Sequence, residues 1–160
     1  MVDLALFNPD QAGNVGAILR LAACFAVPCH IIEPCGFPFS ERALKRAGMD
    51  YADFADMRRH ADWDAFEAMR HASGQRLILM TSSGDGLIHD FAFRSDDILC
   101  MGSESAGAPA HVHRAADARL RIPIGAPARS LNLAIASGIA LAEALRQTAT
   151  FPAQEDDHGI

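Results

Sequence analysis

Lysine is almost missing from this 160-residue chain: Lys45 is alone among 14 basic residues, and the other thirteen are arginine. Long hydrophobic runs are missing too. The longest apolar stretch, Leu131 to Leu145, is broken by Asn132, Ser137, Gly138 and Glu143, and is too short and too polar to cross a bilayer. The opening residues, Met1 to Phe7, lack the positive segment and extended apolar core of a secretory signal, so a soluble, cytoplasmic protein is expected. Cys24, Cys29, Cys35 and Cys100 contain no CxxC spacing, which disfavours a zinc ribbon or thioredoxin-type site and predicts buried, reduced thiols. There is no Walker A loop and no GxGxxG, which weakens nucleotide-triphosphatase and NAD readings. Around Ser105 a nucleophile elbow would need glycine at 103, where the chain has Ser103. His111-x-His113 has no acid or cysteine cluster beside it, so it reads as a surface pair rather than a metal site, and His30 reads as a core histidine. No internal repeat and no Gly/Ser-rich linker divides the chain. One domain over residues 1–150 is expected, followed by a disordered acidic tail over 151–160.

What is present is a hydrophobic half, enough for a sizeable core, and a net charge of −6. That acidity argues against a general nucleic-acid or anionic-membrane binder, but it is unevenly placed. Glu155, Asp156 and Asp157 put half of it in the tail, whereas Arg114, Arg119, Arg121 and Arg129 face only Asp117 between residues 109 and 130. Arg42, Lys45 and Arg46 form another basic cluster, as do Arg58, Arg59 and His60. Arginine pairs with phosphate and carboxylate through a bidentate fork, so whole-chain charge does not exclude an RNA partner.

Hydrophobic periodicity predicts strands at Leu4–Phe7, Cys29–Glu33, Arg76–Thr81 and Ile98–Gly102, with a short extended segment at Arg121–Ile124. It predicts helices from Asn14 to Val27, from Ser40 through Arg46, from an Asp62 cap to Gly74, and from a Ser130 cap to Gln147. Strands alternating with helices give an α/β fold, a mostly parallel sheet covered on both faces. The last helix is apolar nearly all round and the Asn14 helix is rich in alanine, which predicts a homodimer packed through them.

Open parallel sheets bind ligands beyond the carboxyl ends of their strands, so glycine-punctuated polar loops there are the candidate site. Three segments qualify: Asn14 to Arg20, Met101 to Pro109, and Ile122 to Asn132. Asn14 and Arg20 lie roughly 120° apart around a helix, and an arginine on so apolar a helix calls for an anion, with Glu104 as its structural alternative. Gly102 and Gly107 permit close backbone approach. Ser130 is expected to cap the last helix, with Asn132 in its first turn.

Phe7-Asn8-Pro9, Gly13-Asn14-x-Gly16-x-x-x-Arg20, His30-Ile31-Ile32-Glu33-Pro34-x-Gly36-Phe37 and Leu44-Lys45-Arg46-Ala47-Gly48-x-Asp50-Tyr51 appear in order. Gly102-x-Glu104-x-x-Gly107-x-Pro109, Arg121-Ile122-Pro123-Ile124 and Arg129-Ser130-Leu131-Asn132-Leu133 follow. Together they resemble the SPOUT superfamily of RNA 2′-O-ribose methyltransferases, and within it the small stand-alone enzymes that act on the wobble cytidine or uridine of tRNA. Two positions depart from that pattern: Gly13 stands where proline is usual, and Ala106 where arginine is often found.

The resemblance implies a C-terminal trefoil knot, a homodimer, tRNA bound through its anticodon region, and S-adenosylmethionine as methyl donor with no metal. It implies cofactor contacts at Met80, Thr81, Gly102, Ile122, Ile124, Ser130 and Leu131, and a catalytic set of Asn14, Arg20, Glu104 and Asn132. A cofactor-binding dimer without catalytic activity, acting as an RNA-associated or regulatory module, is the competing expectation. A flavodoxin-like protein is a third.

Overall fold

The computed structural model describes residues 1–40 and 55–153. Seven strands form one all-parallel sheet: β1 (Asp3–Phe7), β2 (Cys29–Ile32), β3 (Met57–His60), β4 (Leu77–Met80), β5 (Gly86–Leu87), β6 (Ile98–Met101) and β7 (Ala118–Arg121). Their order is β3-β2-β1-β6-β4-β7-β5. The central strands Asp-Leu-Ala-Leu-Phe, Cys-His-Ile-Ile, Leu-Ile-Leu-Met and Ile-Leu-Cys-Met are buried throughout. Apart from Asp3 and His30 these are continuous apolar runs, as a parallel strand covered on both faces requires.

Helix α1 (Ala12–Cys24) and the last helix, α4 (Leu133–Thr148), lie on one face of the sheet. Their core includes Leu4, Leu6, Ile18, Leu19, Leu99, Leu141 and Leu145. Helix α2 (Trp63–Ser73) and the short α3 (Ala110–Ala115) cover the other face, where Phe66 of α2 joins Ala5, Phe7, Leu77 and Leu79 of the sheet in one core. Asp62 starts α2 by accepting a hydrogen bond from the Ala65 N–H at 2.8 Å, and Gly74 ends it in the left-handed conformation at φ 71°. Those are the start and stop signals anticipated from its sequence.

Several boundaries differ from the sequence reading. Helix α1 begins at Ala12, two residues before Asn14, and Asn14 therefore sits inside its first turn. Strand β7 ends at Arg121, so Ile122 to Ile124 lie beyond it as irregular chain rather than as the extended element itself. The cap of α4 is Asn132, not Ser130: Asn132 Oδ1 accepts from the N–H groups of Ala134 at 2.9 Å and Ile135 at 3.3 Å. Ser130 and Leu131 remain in the preceding loop, which moves them from helix to cavity wall. Cys24 is exposed at the end of α1, contrary to the expected burial of all four thiols, while Cys29 and Cys100 are fully buried. The Ser40–Arg46 helix falls largely outside the described residues.

Buried polar groups are paired on this scaffold. His30 is fully buried on β2, its Nδ1 2.8 Å from His60 Nε2 and its Nε2 3.3 Å from Asp3 Oδ2. Asp97, also fully buried, is gripped by Arg76 at 2.7 and 2.8 Å. Among the described residues no helix is long and apolar enough to cross a membrane.

Candidate active site

The loops leaving β1, β4, β6 and β7 converge at the carboxyl edge of the sheet around a cavity of about 440 Å³. Met80 and Thr81 come from the end of β4, and Gly102, Glu104 and Gly107 from the loop after β6. Ile122, Ile124, Ser130, Leu131 and Asn132 come from the long loop between β7 and α4, and Asn14 from the first turn of α1.

The floor depends on glycine. A Cβ on Gly102 would lie 2.5 Å from the carbonyl carbon of Gly107 and 2.6 Å from the nitrogen of Ala108. The loop folds back on itself there, with reciprocal bonds Ser103 N–H to Gly107 C=O at 3.0 Å and Gly107 N–H to Ser103 C=O at 2.9 Å. Gly107 turns the corner at φ 67°, a conformation costly for any residue with a Cβ. The result is a tight backbone platform open to the cavity.

One wall is organised by a directional chain of side chains. Glu104 Oε1 accepts from Asn14 Nδ2 at 3.0 Å, Asn14 Oδ1 accepts from Asn132 Nδ2 at 2.9 Å, and Asn132 Oδ1 accepts from the first N–H groups of α4. The carboxylate only accepts and the helix N–H groups only donate, so both amides are fixed in one orientation. This chain ties α1, the β6 loop and the start of α4 together. The other carboxylate oxygen of Glu104 accepts from the Asp10 N–H at 2.9 Å.

Asp10 was not anticipated from the sequence. Its carboxylate accepts from both the N–H (3.1 Å) and the hydroxyl of Ser105, and the Ser105 hydroxyl holds its pKa below the usual carboxylate value. It latches the β1 loop to the β6 loop. The turn residues Asn8-Pro9-Asp10 mark a loop, but nothing local shows which distant loop the carboxylate meets.

All the expected cofactor contacts (Met80, Thr81, Gly102, Ile122, Ile124, Ser130 and Leu131) line this cavity, together with Asn14, Glu104 and Asn132. Arg20 does not line it. It is exposed on α1, not buried or half-buried as the apolar helix had suggested. His111 does not approach the cavity. It is exposed and meets the rings of Phe7 and Trp63 edge-on at 5.8 and 5.6 Å. Among the described residues no group of three or more histidine, cysteine or acidic side chains could hold a metal ion.

Residues 1–142 match the family described as SpoU rRNA methylase. The chain belongs to that family. A SpoU relative from Ancylobacter novellus, named tRNA (cytidine(34)-2′-O)-methyltransferase, is 51% identical over 148 residues, covering 92% of this chain and 94% of that protein. A structure solved for insights into the 2-OH methylation of C/U34 on tRNA superposes with a TM-score of 0.86 at 39% identity, covering 92% of this chain and 95% of that one. An AdoMet-bound rRNA methyltransferase from Sinorhizobium meliloti gives a TM-score of 0.81 at 33% identity, covering 91% of this chain and 56% of that one. This SpoU chain therefore shares its parallel α/β architecture with methyltransferases across nearly its full length.

Proposed function

We propose that this chain is an S-adenosylmethionine-dependent enzyme that methylates the ribose 2′-oxygen of the wobble nucleotide, cytidine or uridine 34, in tRNA. The near-full-length 51% identity to a relative of that name carries the reading. The cavity supports it independently. Its apolar side chains, Met80, Ile122, Ile124 and Leu131, suit a purine ring and an aliphatic sulfonium chain. The glycine platform at Gly102 and Gly107, which a Cβ would obstruct, allows close approach to main-chain atoms. The Ile122–Ile124 and 130–132 segments lie outside helix and strand, so their peptide groups are not committed to a ladder.

When bound, S-adenosylmethionine supplies an electrophilic methyl group on a positively charged sulfur. Met80, Gly102, Ile122, Ile124 and Leu131 would hold its adenosine, with the hydroxyls of Thr81 and Ser130 at the polar rim. The protein's remaining task is to align the ribose hydroxyl and accommodate the charge it develops as its proton leaves. Arg20 is assigned to the hydroxyl and the neighbouring phosphate on the resemblance of Gly13-Asn14-x-Gly16-x-x-x-Arg20 to the first motif of the methyltransferase family. Its guanidinium stays protonated, so it orients the hydroxyl and stabilises oxyanion charge, and the proton passes to phosphate or water. Asn14, Glu104 and Asn132 hold the walls in register through the chain of hydrogen bonds described above.

We further assign residues 1–150 to one SpoU domain with an acidic tail, a cytoplasmic location, a trefoil knot formed as the β7–α4 loop threads back, and a homodimer. Two features support the last two. Asn132, eleven residues beyond β7, reaches back to Asn14 on α1. Ile135 and Ile139 on the outward face of α4, with Phe151 just beyond it, are 57%, 40% and 46% exposed, a large apolar area for a single copy. Transfer of labelled methyl from S-adenosylmethionine to bulk tRNA tests the enzymatic reading. Cofactor binding by calorimetry without incorporation would instead indicate a binding module.

A further inference from the structure

The stretch from Ala118 to Asn132 carries Arg119, Arg121 and Arg129 and no carboxylate. Arg119 is neutralised by Asp85 at 3.1 Å, and Arg121 donates to the carbonyl of Gly84. Arg129 is exposed and, among the described residues, has no hydrogen-bonding or ionic partner. Arg58, Arg59, Arg70, Arg76 and Arg146 each meet a carboxylate, whereas the exposed side chains of Arg94 and Arg114, like that of Arg129, make no hydrogen bond or ion pair among the described residues. Position singles out Arg129. Arg129 directly precedes Ser130 and Leu131, and Arg121 directly precedes Ile122, so the two arginines bracket the loop that forms one wall of the cavity. Pro123 and Pro127 restrict the backbone between them. At the same mouth Ile124 and Leu131 each remain 37% exposed.

We propose that Arg129, with Arg121 at the base of the same loop, binds a phosphodiester of the RNA strand adjoining the nucleotide whose ribose enters the cavity. The inference rests on the RNA-methyltransferase reading above and adds the residue that seats the strand. An unpaired guanidinium has no internal ion pair to break before it meets a phosphate, and its planar fork matches two phosphate oxygens. In a chain of net charge −6, one such contact at the cavity mouth places the strand locally, without a broad positive field. A carboxylate on the bound cofactor shares this chemistry. Because Arg129 lies outside the cavity while its neighbours Ser130 and Leu131 line it, the RNA phosphate is the favoured anion.

The test measures tRNA affinity against salt for the full chain and for Arg129→Ala and Arg129→Lys, beside calorimetry with S-adenosylmethionine. For Arg129→Ala the slope of log K against log salt becomes shallower by about one unit. The KM for tRNA rises about fivefold near 0.1 M salt, while cofactor affinity stays at the wild-type value. Arg129→Lys keeps the slope and loses part of the affinity. An unchanged slope and KM in an active wild-type background overturn the inference. So does a loss of cofactor affinity with the tRNA slope intact, which would assign Arg129 to the cofactor's carboxylate. A wild-type protein that transfers no methyl to tRNA overturns the underlying functional reading instead.

Discussion

Asn132 has two separable jobs, and two substitutions divide them. Asn132→Ala removes the cap of α4, worth about 1 kcal/mol, and the bond to Asn14, worth about 0.5 kcal/mol for so exposed a pair. At about 2–4 °C per kcal/mol for a chain of this size, the apo protein should melt about 3–6 °C lower. Asn132→Asp keeps the cap, because a carboxylate serves the helix N–H groups as well as an amide does. It destroys the chain beyond. The Asn14 amide would then lie between two carboxylates with only one donating end, so whichever way it turns, one carboxylate faces its carbonyl oxygen. The expectation is a melting temperature close to wild type with methyl transfer to tRNA down by at least about tenfold, near 1.4 kcal/mol in the barrier. Thermal unfolding and single-turnover methyl transfer read the two effects separately. If Asn132→Asp transferred methyl at the wild-type rate, or Asn132→Ala melted at the wild-type temperature, the directional chain would not organise the site.

Three further outcomes follow from other parts of the structure. Gly102→Ala forces backbone atoms at Gly107 and Ala108 apart, so calorimetry should show S-adenosylmethionine binding lost while far-ultraviolet circular dichroism keeps its helical signal; binding at wild-type affinity would contradict the platform. His60 is held below its ordinary pKa chiefly by burial, with His30 and Arg58 adding to the effect. The unfolded chain therefore binds the extra proton first, and stability should fall as pH drops below about 6.5 until the folded pKa is passed. Urea midpoints at pH 7.5 and 5.5 should differ less in His60→Gln, and an equal difference would remove His60 from that dependence. Cys29 and Cys100 are pushed up to about 12 by burial, whereas Cys24 is exposed, so brief alkylation at pH 8 should mark Cys24 and spare the other two. Equal labelling of Cys100 would contradict the buried core.

The central strands were legible because a strand buried on both faces must be apolar along its whole length, and Leu77–Met80 and Ile98–Met101 are. The edges were not. Met57-Arg58-Arg59-His60 forms β3 at one margin of the sheet, where charged side chains are tolerated and the apolar run disappears. Gly86–Leu87 forms β5 at the other margin in two residues, too few for any period, and six-residue α3 is equally faint. Ser130 looked like a cap because serine is a good one. The cap falls to Asn132, whose amide accepts from the first N–H groups of α4 and donates to Asn14, while Ser130 lies two residues earlier in the loop. Asn14, Glu104 and Asn132 are marked by the resemblance of their motifs to the methyltransferase family, but their hydrogen-bond direction exists only once three distant segments meet. Asp10 and the exposure of Arg20 were invisible for the same reason: each depends on what the fold places beside it.

The chemistry at nucleotide 34 of tRNA is the most direct test. Purified protein, S-adenosylmethionine and unmodified tRNA should yield, by nucleoside mass spectrometry after site-directed cleavage, a 2′-O-methyl group on the wobble cytidine or uridine and at no other position. A methyl group found on a base, or on a ribose elsewhere in the tRNA, would contradict it.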